Sequence, residues 1–167
     1  SQLATHAANA ALMDAKVEPT DVDHLVWGNV LPVDPDGFYT GRVAALNVGM
    51  PEESCALQVN RACGSGTQAI ITAAQQIMTG HSKIALAGGG ENFSRGGFVN
   101  QKMRWGAIRG AQPFEDAVEW AYNDPFGHGL MGVTGENLAD DFQYLREDMD
   151  KWGEMSQQRA GVAMKSG

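Results

Sequence analysis

The segment QVNRACGSGTQAI (Gln58–Ile70) places a lone cysteine at a glycine-flanked corner between two apolar runs. The run before the corner, SCALQVN (54–60), predicts a β-strand. The run after it, TQAIITAAQQIMTG (67–80), is apolar nearly all round and therefore predicts a buried helix that ends at its glycine. KIALAGG (83–89) then predicts a second buried strand. A strand, a turn, a helix and a strand in this order indicate a βαβ crossover in a mostly parallel sheet.

The rest of the chain extends this α/β pattern on both sides. Leu3, Ala7, Ala10 and Ala11 recur at helical spacing and predict a helix with these residues on its apolar face. The segment HLVWGNV (24–30) predicts a strand, and TGRVAALNVGM (40–50) predicts a helix that closes at a glycine. Two late helices are predicted at MGVTGENLADDF (131–142) and LREDMDKWGEMSQQRAGVAMKSG (145–167). The sequence therefore predicts an α/β fold.

The composition argues against several classes of protein. The chain has 167 residues and a formal net charge of −8, which argues against general affinity for nucleic acids or anionic membranes. Two cysteines are too few for a disulfide framework, so we expect a reducing compartment, the cytoplasm. No apolar run reaches the ~20 residues that span a bilayer. The first residues show no signal-peptide pattern and read as a helix, so we expect that a preceding strand is missing.

The corner cysteine, Cys63, has two interpretations. A thiolate is the nucleophilic form of cysteine, and the N–H groups and dipole of a helix N-terminus favour it. Gly64 and Gly66 would let the backbone bend and a substrate approach, and the N–H of Cys63 could face an oxyanion. The alternative is a buried structural cysteine, which is the interpretation we favour for Cys55 within the preceding strand.

Four segments, in order along the chain, resemble the thiolase family. NRACGSGTQAI (60–70) resembles the family's active-site segment Asn-Arg-x-Cys-x-Ser-Gly-x-Gln-Ala-Ile. ALAGGGENFS (85–94) and MGVTGEN (131–137) resemble two further family segments, with Phe93 in place of Met and Gly135 in place of Ala. QRAGVAMKSG (158–167) resembles the end of the helix that follows the last of these segments in the family. The resemblance implies the N-terminal half of a thiolase, with a mostly parallel sheet, a buried nucleophile helix and a loop excursion.

The resemblance also implies roles for individual residues. Cys63 would accept the acyl group of an acyl-CoA as a thioester, so coenzyme A would be a substrate and no other cofactor is expected. Met131 would line the acyl and pantetheine channel. Leu130 occupies a position that is often His in short-chain biosynthetic thiolases. A leucine there favours a longer or less polar acyl group. Residues 1–94 would form the α/β core, 95–130 a loop region that covers the site and mediates assembly, and 131–167 the helices that return to the core.

Several catalytic residues that the resemblance implies are absent from the sequence. Thiolases use a histidine, a second cysteine and an asparagine in Gly-His-Pro, Cys-x-Gly and Asn-Glu-Ala-Phe motifs, and none of these motifs occurs here. We therefore expect a half that needs a complementary C-terminal half or a homo-oligomer, and no turnover by this chain alone. Two alternatives remain: a non-enzymatic module that binds acyl-CoA or a partner, and a decarboxylating condensing enzyme of the same superfamily.

Other motifs point to no separate chemistry. DPDG (34–37) lacks the glutamate that a calcium loop needs, and the four histidines have no obvious ligand partners, so no metal site is predicted. His128 is the only histidine in a segment that we expect near the substrate. The basic residues of 92–114 are equally consistent with a solvated loop and with phosphate contacts. For Glu91 and Asn92 we expect a structural role, as turn residues whose side chains hydrogen-bond to their own backbone.

Overall fold

A three-stranded parallel sheet organises the first part of the chain in the computed structural model, which describes residues 1–166. Its strands are β1 (His24–Gly28), β2 (Cys55–Val59) and β3 (Ala85–Gly89), in the order β2-β1-β3. His24 pairs with both Cys55 and Ala85, so the three strands start level and their carboxyl ends meet at one edge. The α/β class and the parallel crossover predicted from the sequence are confirmed.

Helices cover both faces of this sheet. The helices α1 (Gln2–Ala15) and α2 (Thr40–Asn47) pack on one face, where Leu25 and Trp27 of β1 belong to their apolar cluster. The helix α3 (Ser65–Met78) packs on the other face against Val26. Successive side chains of a strand point to opposite faces, and this alternation lets the short central strand β1 contribute to both layers.

Two predictions of burial were wrong. The helix α3 is not buried all round: Ala69 and Ala73 contact the sheet, while Ile70 is 62% exposed and Ile71 and Ile77 are also exposed. Small side chains one turn apart allow a close approach to the sheet, and this approach turns the isoleucines outward. The strand β3 is half-buried rather than buried because it is an edge strand with one covered flank.

The apolar face of α1 also differs from the prediction. Its buried residues are Ala4, Ala8 and Leu12, whereas the predicted Leu3 and Ala7 are exposed. The spacing of four residues places the buried set on one side of the helix. The helix itself was predicted correctly, but its orientation on the sheet was not.

The remaining chain contains short strand pairs and two longer helices. Residues 1–121 form one compact unit and the chain from residue 122 onward forms a second. The elements between β3 and the carboxyl terminus are β4 (Phe98–Val99), β5 (Glu115–Asp116), α4 (Ala117–Tyr122), β6 (Asn123–Asp124), β7 (Gly129–Leu130), α5 (Met131–Phe142) and α6 (Arg146–Ser166). The β4–β5 and β6–β7 pairs are antiparallel. Among residues 1–166, no helix is both long and apolar enough to cross a bilayer.

Asp23 fixes the amino-terminal ends of the strands. Its carboxylate accepts hydrogen bonds from the Ser82 hydroxyl and, at 2.8 Å, from the backbone N–H of Lys83. Its own N–H donates to Ile84 and its carbonyl accepts from Cys55, so the residue links all three strands. Desolvation by burial raises the pKa of the Asp23 carboxyl, but these hydrogen bonds outweigh it and hold the pKa below its ordinary value.

We predict that Asp23→Asn lowers the free energy of unfolding at pH 7 by about 1–3 kcal/mol, because a charge-assisted acceptor is lost. A lowered folded-state pKa adds stability above the unfolded-state pKa of about 4, and this stability disappears as the pH falls through the folded-state pKa. Urea denaturation between pH 7 and pH 2.5 should therefore show the difference between wild type and variant shrinking in acid. A difference that stays constant with pH would contradict this role of the carboxylate.

Candidate active site

The corner that holds Cys63 lies between the end of β2 and the first turn of α3. Asn60 accepts the N–H of Ala62 with its side-chain oxygen at 3.0 Å. The Ser65 hydroxyl accepts the N–H of Arg61 at 2.9 Å and donates to the carbonyl of Ala62 at 2.6 Å. Cys63 itself is exposed, two residues before the first residue of α3. The cysteine is therefore presented to solvent on a turn that side chains hold from both ends.

The sharp bend of this corner is at Ala62 rather than at a glycine. Ala62 has a φ of 45°, in the left-handed region that residues with a β-carbon rarely adopt. Gly64 has a φ of −87°, which other residues adopt readily, so the predicted role of Gly64 in bending the backbone was wrong. A β-carbon on Gly66 would meet no atom within 4 Å, so this glycine leaves open space at the start of α3.

Glycines on the sheet let the start of α3 come close. A β-carbon on Gly28 would lie 2.7 Å from the backbone carbon and oxygen of Ser65. A β-carbon on Gly89 would lie 3.0 Å from the carbonyl oxygen of Gly28 and 3.4 Å from the α-carbon of Gly66. The carboxyl ends of β1 and β3 therefore touch the first turn of α3 directly, and this contact fixes the position of the cysteine corner.

Glu91 lies just beyond β3 and binds the loop that follows β1. One of its carboxylate oxygens accepts from the Asn29 side chain at 2.6 Å and from the N–H of Leu31 at 3.0 Å, and the other accepts from the N–H of Val30 at 2.8 Å. The prediction that Glu91 bonds its own turn was wrong. The Asn92 side chain also bonds locally, but to a side chain and not to the backbone: it accepts the Ser94 hydroxyl at 3.0 Å. The only sequence signal of the contact between Glu91 and the loop after β1 was an acidic residue directly after a glycine-rich strand.

Cys55, the second cysteine, is exposed and not a core residue. It begins β2, and the order β2-β1-β3 makes β2 an edge strand. The interpretation of Cys55 as a buried structural cysteine was therefore wrong. Any difference in reactivity between the two thiols must come from their local backbone and not from shielding of Cys55.

Leu130 and Met131, the predicted channel residues, lie in the second compact unit, whereas Cys63 lies in the first. Leu130 is the N-cap residue of α5 and Met131 its first residue, and both side chains are about half exposed. In the same unit, His128 donates its backbone N–H to Asp124. The roles of Leu130 and Met131 stay predictions.

Among the basic residues of the loop region, Arg95 pairs with Asp34 at 3.1 Å. Both residues belong to the first unit, and the Arg95 side chain remains 60% exposed in this ion pair. Within residues 1–166, no group of three or more His, Cys, Asp or Glu side chains could hold a metal ion.

A family profile described as "Thiolase, N-terminal domain" matches residues 1–167. The chain is 41% identical over 167 residues to "Beta-ketothiolase BktB" of Cupriavidus necator and 37% identical over 168 residues to the human "3-ketoacyl-CoA thiolase, mitochondrial". Each alignment covers 100% of this chain and 42% of the relative. The chain therefore spans about two fifths of the length of these curated relatives.

Solved structures agree with the sequence comparison. The crystal structure of human mitochondrial 3-ketoacyl-CoA thiolase in complex with CoA superimposes with a TM-score of 0.92 at 36% identity, over 98% of this chain and 42% of that one. The Bacillus anthracis acetyl-CoA acetyltransferase gives 0.88 at 34% identity, over 96% of this chain and 41% of that one. The chain belongs to the thiolase family and corresponds to its N-terminal domain.

Proposed function

We propose that the protein is an acyl-CoA acyltransferase of the thiolase type, with Cys63 as the acyl acceptor. The observation that supports this most directly is the exposed thiol on a braced corner at the start of α3. The family membership and the names of the relatives, which are ketothiolases and ketoacyl-CoA thiolases, support the same reaction. A decarboxylating condensing enzyme has no comparable support.

The reaction would begin with attack of the Cys63 thiolate on the 3-keto carbon of a 3-ketoacyl-CoA. The bond between this carbon and the α-carbon breaks, the acyl group stays on sulfur, and the α-carbon takes a proton as acetyl-CoA leaves. The thiol of a second coenzyme A then takes the acyl group and releases Cys63. The reverse sequence is the Claisen condensation. Met131 and Leu130 would contact the acyl and pantetheine part of the substrate, and no cofactor beyond the substrate coenzyme A is proposed.

We also propose that the exposed isoleucine face of α3 is covered by a complementary C-terminal half, or by another copy in a homo-oligomer. Ile70 and Ile77, seven residues apart, lie on one side of α3, Ile71 follows Ile70 around the helix, and all three side chains are exposed. An apolar stripe of this kind is unusual on a surface that stays in water. The relatives are more than twice as long as this chain, which provides a source for such a cover.

For the compartment, we propose the cytoplasm, where acyl-CoA metabolism such as that of fatty acids would supply the substrate. Both cysteines are free, as a reducing compartment favours. One of the relatives is named as mitochondrial, so a mitochondrial location is the alternative.

We predict that acetyl-CoA transfers an acetyl group to the protein and that Cys63→Ala abolishes the transfer. The released coenzyme A balances the step, because the thioester bond of acetyl-CoA breaks as the one on Cys63 forms. Intact mass, loss of the adduct in hydroxylamine and peptide mapping would locate the thioester. Cys55→Ala is the matched control and should keep the adduct. An adduct that persists in Cys63→Ala, or none in wild type, would reject the acyl-acceptor role and favour a module that only binds.

A further inference from the structure

The Glu91 carboxylate gathers three hydrogen-bond donors from one short loop. The Asn29 side chain and the N–H groups of Val30 and Leu31 all point to it, at 2.6, 2.8 and 3.0 Å. Asn29 also donates to the carbonyl of Gly90 at 3.0 Å. Hydrogen bonds to a carboxylate are about twice as strong as those between neutral groups, so the loop after β1 is held firmly against the end of β3.

The same loop is bonded to the segment that leads into the cysteine corner. The N–H of Asn29 donates to the carbonyl of Val59 at 3.1 Å, and the carbonyl of Val30 accepts from the Asn60 side chain at 3.4 Å. The other side-chain atom of Asn60 accepts the N–H of Ala62 at 3.0 Å. A continuous route of hydrogen bonds therefore joins Glu91 to the residue before Cys63.

We propose that Glu91 is a positioning residue for Cys63, acting through the Asn29–Leu31 loop and Asn60. The inference rests on the proposed function, in which Cys63 is the nucleophile. Ala62 has an unfavourable left-handed backbone, and such a conformation persists only where surrounding contacts over-determine it. The anchored loop supplies these contacts and keeps the Cys63 thiol in place before the first turn of α3.

The chemistry at this position requires a carboxylate and not an amide. Both oxygens of Glu91 accept from N–H groups, and two of these three groups are backbone donors that cannot reverse their polarity. A glutamine would turn an NH₂ group towards one of the donors and leave two donors facing each other. Glu91→Gln should therefore loosen the loop without changing the size of the side chain.

The test compares alkylation of the two exposed cysteines in one sample, with iodoacetamide as the probe. Glu91→Gln is expected to slow Cys63 about five-fold at neutral pH, the effect of losing one net hydrogen bond, while the rate at Cys55 stays unchanged. Glu53→Gln, the same change at an exposed glutamate of the same unit, is the matched control and should alter neither rate.

Asn60→Ala interrupts the route at an exposed side chain, so it tests the idea even if Glu91→Gln folds poorly. It should slow Cys63 to a similar extent, and the double variant should be no slower than either single one, because both act on one path. Unchanged rates at Cys63 in Asn60→Ala, or equal slowing of both cysteines, would overturn the positioning role. The alkylation test needs no acyl-CoA, so failure of acetyl transfer in wild type would reject the proposed function alone.

Discussion

Replacing Gly28 with alanine is expected to lower the free energy of unfolding by about 3 kcal/mol, the upper end of the usual cost of overpacking. The new β-carbon would lie 2.7 Å from both the backbone carbon and the backbone oxygen of Ser65. Real β-carbons do not approach this closely, and a backbone cannot swing aside as the end of a side chain can. The first turn of α3 would have to move away from β1, and Cys63 would move with it.

Urea denaturation of Gly28→Ala and wild type would measure this effect. Gly66→Ala is the matched control, because Gly66 lies on the helix side of the same contact and a β-carbon there would meet nothing within 4 Å. Its free energy of unfolding should stay level or rise, since alanine favours a helix more than glycine does. A loss below about 1 kcal/mol in Gly28→Ala would show that α3 does not press on β1 as described.

The strands and helices of the first unit could be predicted because each has a local sequence signal. The corner at Cys63 stands out in the same way, since a single cysteine lies between an apolar strand and an apolar helix. Gly49 and Gly80 follow α2 and α3 with φ values of 92° and 76°, as the predicted helix ends require. These features depend on a few neighbouring residues, and a sequence displays such neighbours directly.

Burial was less predictable because it depends on which elements pack together. The first helix has many alanines, so several of its faces look equally apolar, and only the contact with the sheet selects Ala4, Ala8 and Leu12. Cys55 was predicted to be buried because its strand is apolar, but an edge position in the sheet is not encoded in the strand's own residues. The isoleucines of α3 are exposed for a related reason: no element among residues 1–166 covers them.

The contact between Glu91 and Asn29 could not be predicted, since the two residues are 62 positions apart. It exists because β1 lies between β2 and β3 and ends level with both of them. The sequence indicated the β2–α3–β3 crossover but not the strand that separates its two ends. The order of the strands therefore determines which loops meet beside Cys63, and this order is a property of the whole sheet.

Trp27→Ala is expected to lower the free energy of unfolding by about 3–5 kcal/mol, the usual cost of truncating a large buried aromatic side chain. Trp27 is only 6% exposed, and its ring lies against Gly88 of β3 and Gly90 just beyond this strand, where added β-carbons would come within 2.7 and 3.2 Å of the ring.

Trp27→Phe separates the volume of the ring from its polar group. The indole N–H of Trp27 is buried and has no hydrogen-bond partner among residues 1–166, so removing it relieves an unsatisfied donor. The loss of ring volume and this relief oppose each other, and we expect the phenylalanine variant to stay within about 1 kcal/mol of wild type in urea denaturation. A loss of stability in Trp27→Phe as large as in Trp27→Ala would contradict this prediction. The indole N–H would then have to make an essential hydrogen bond. Packing alone would not explain why a tryptophan occupies the centre of this sheet.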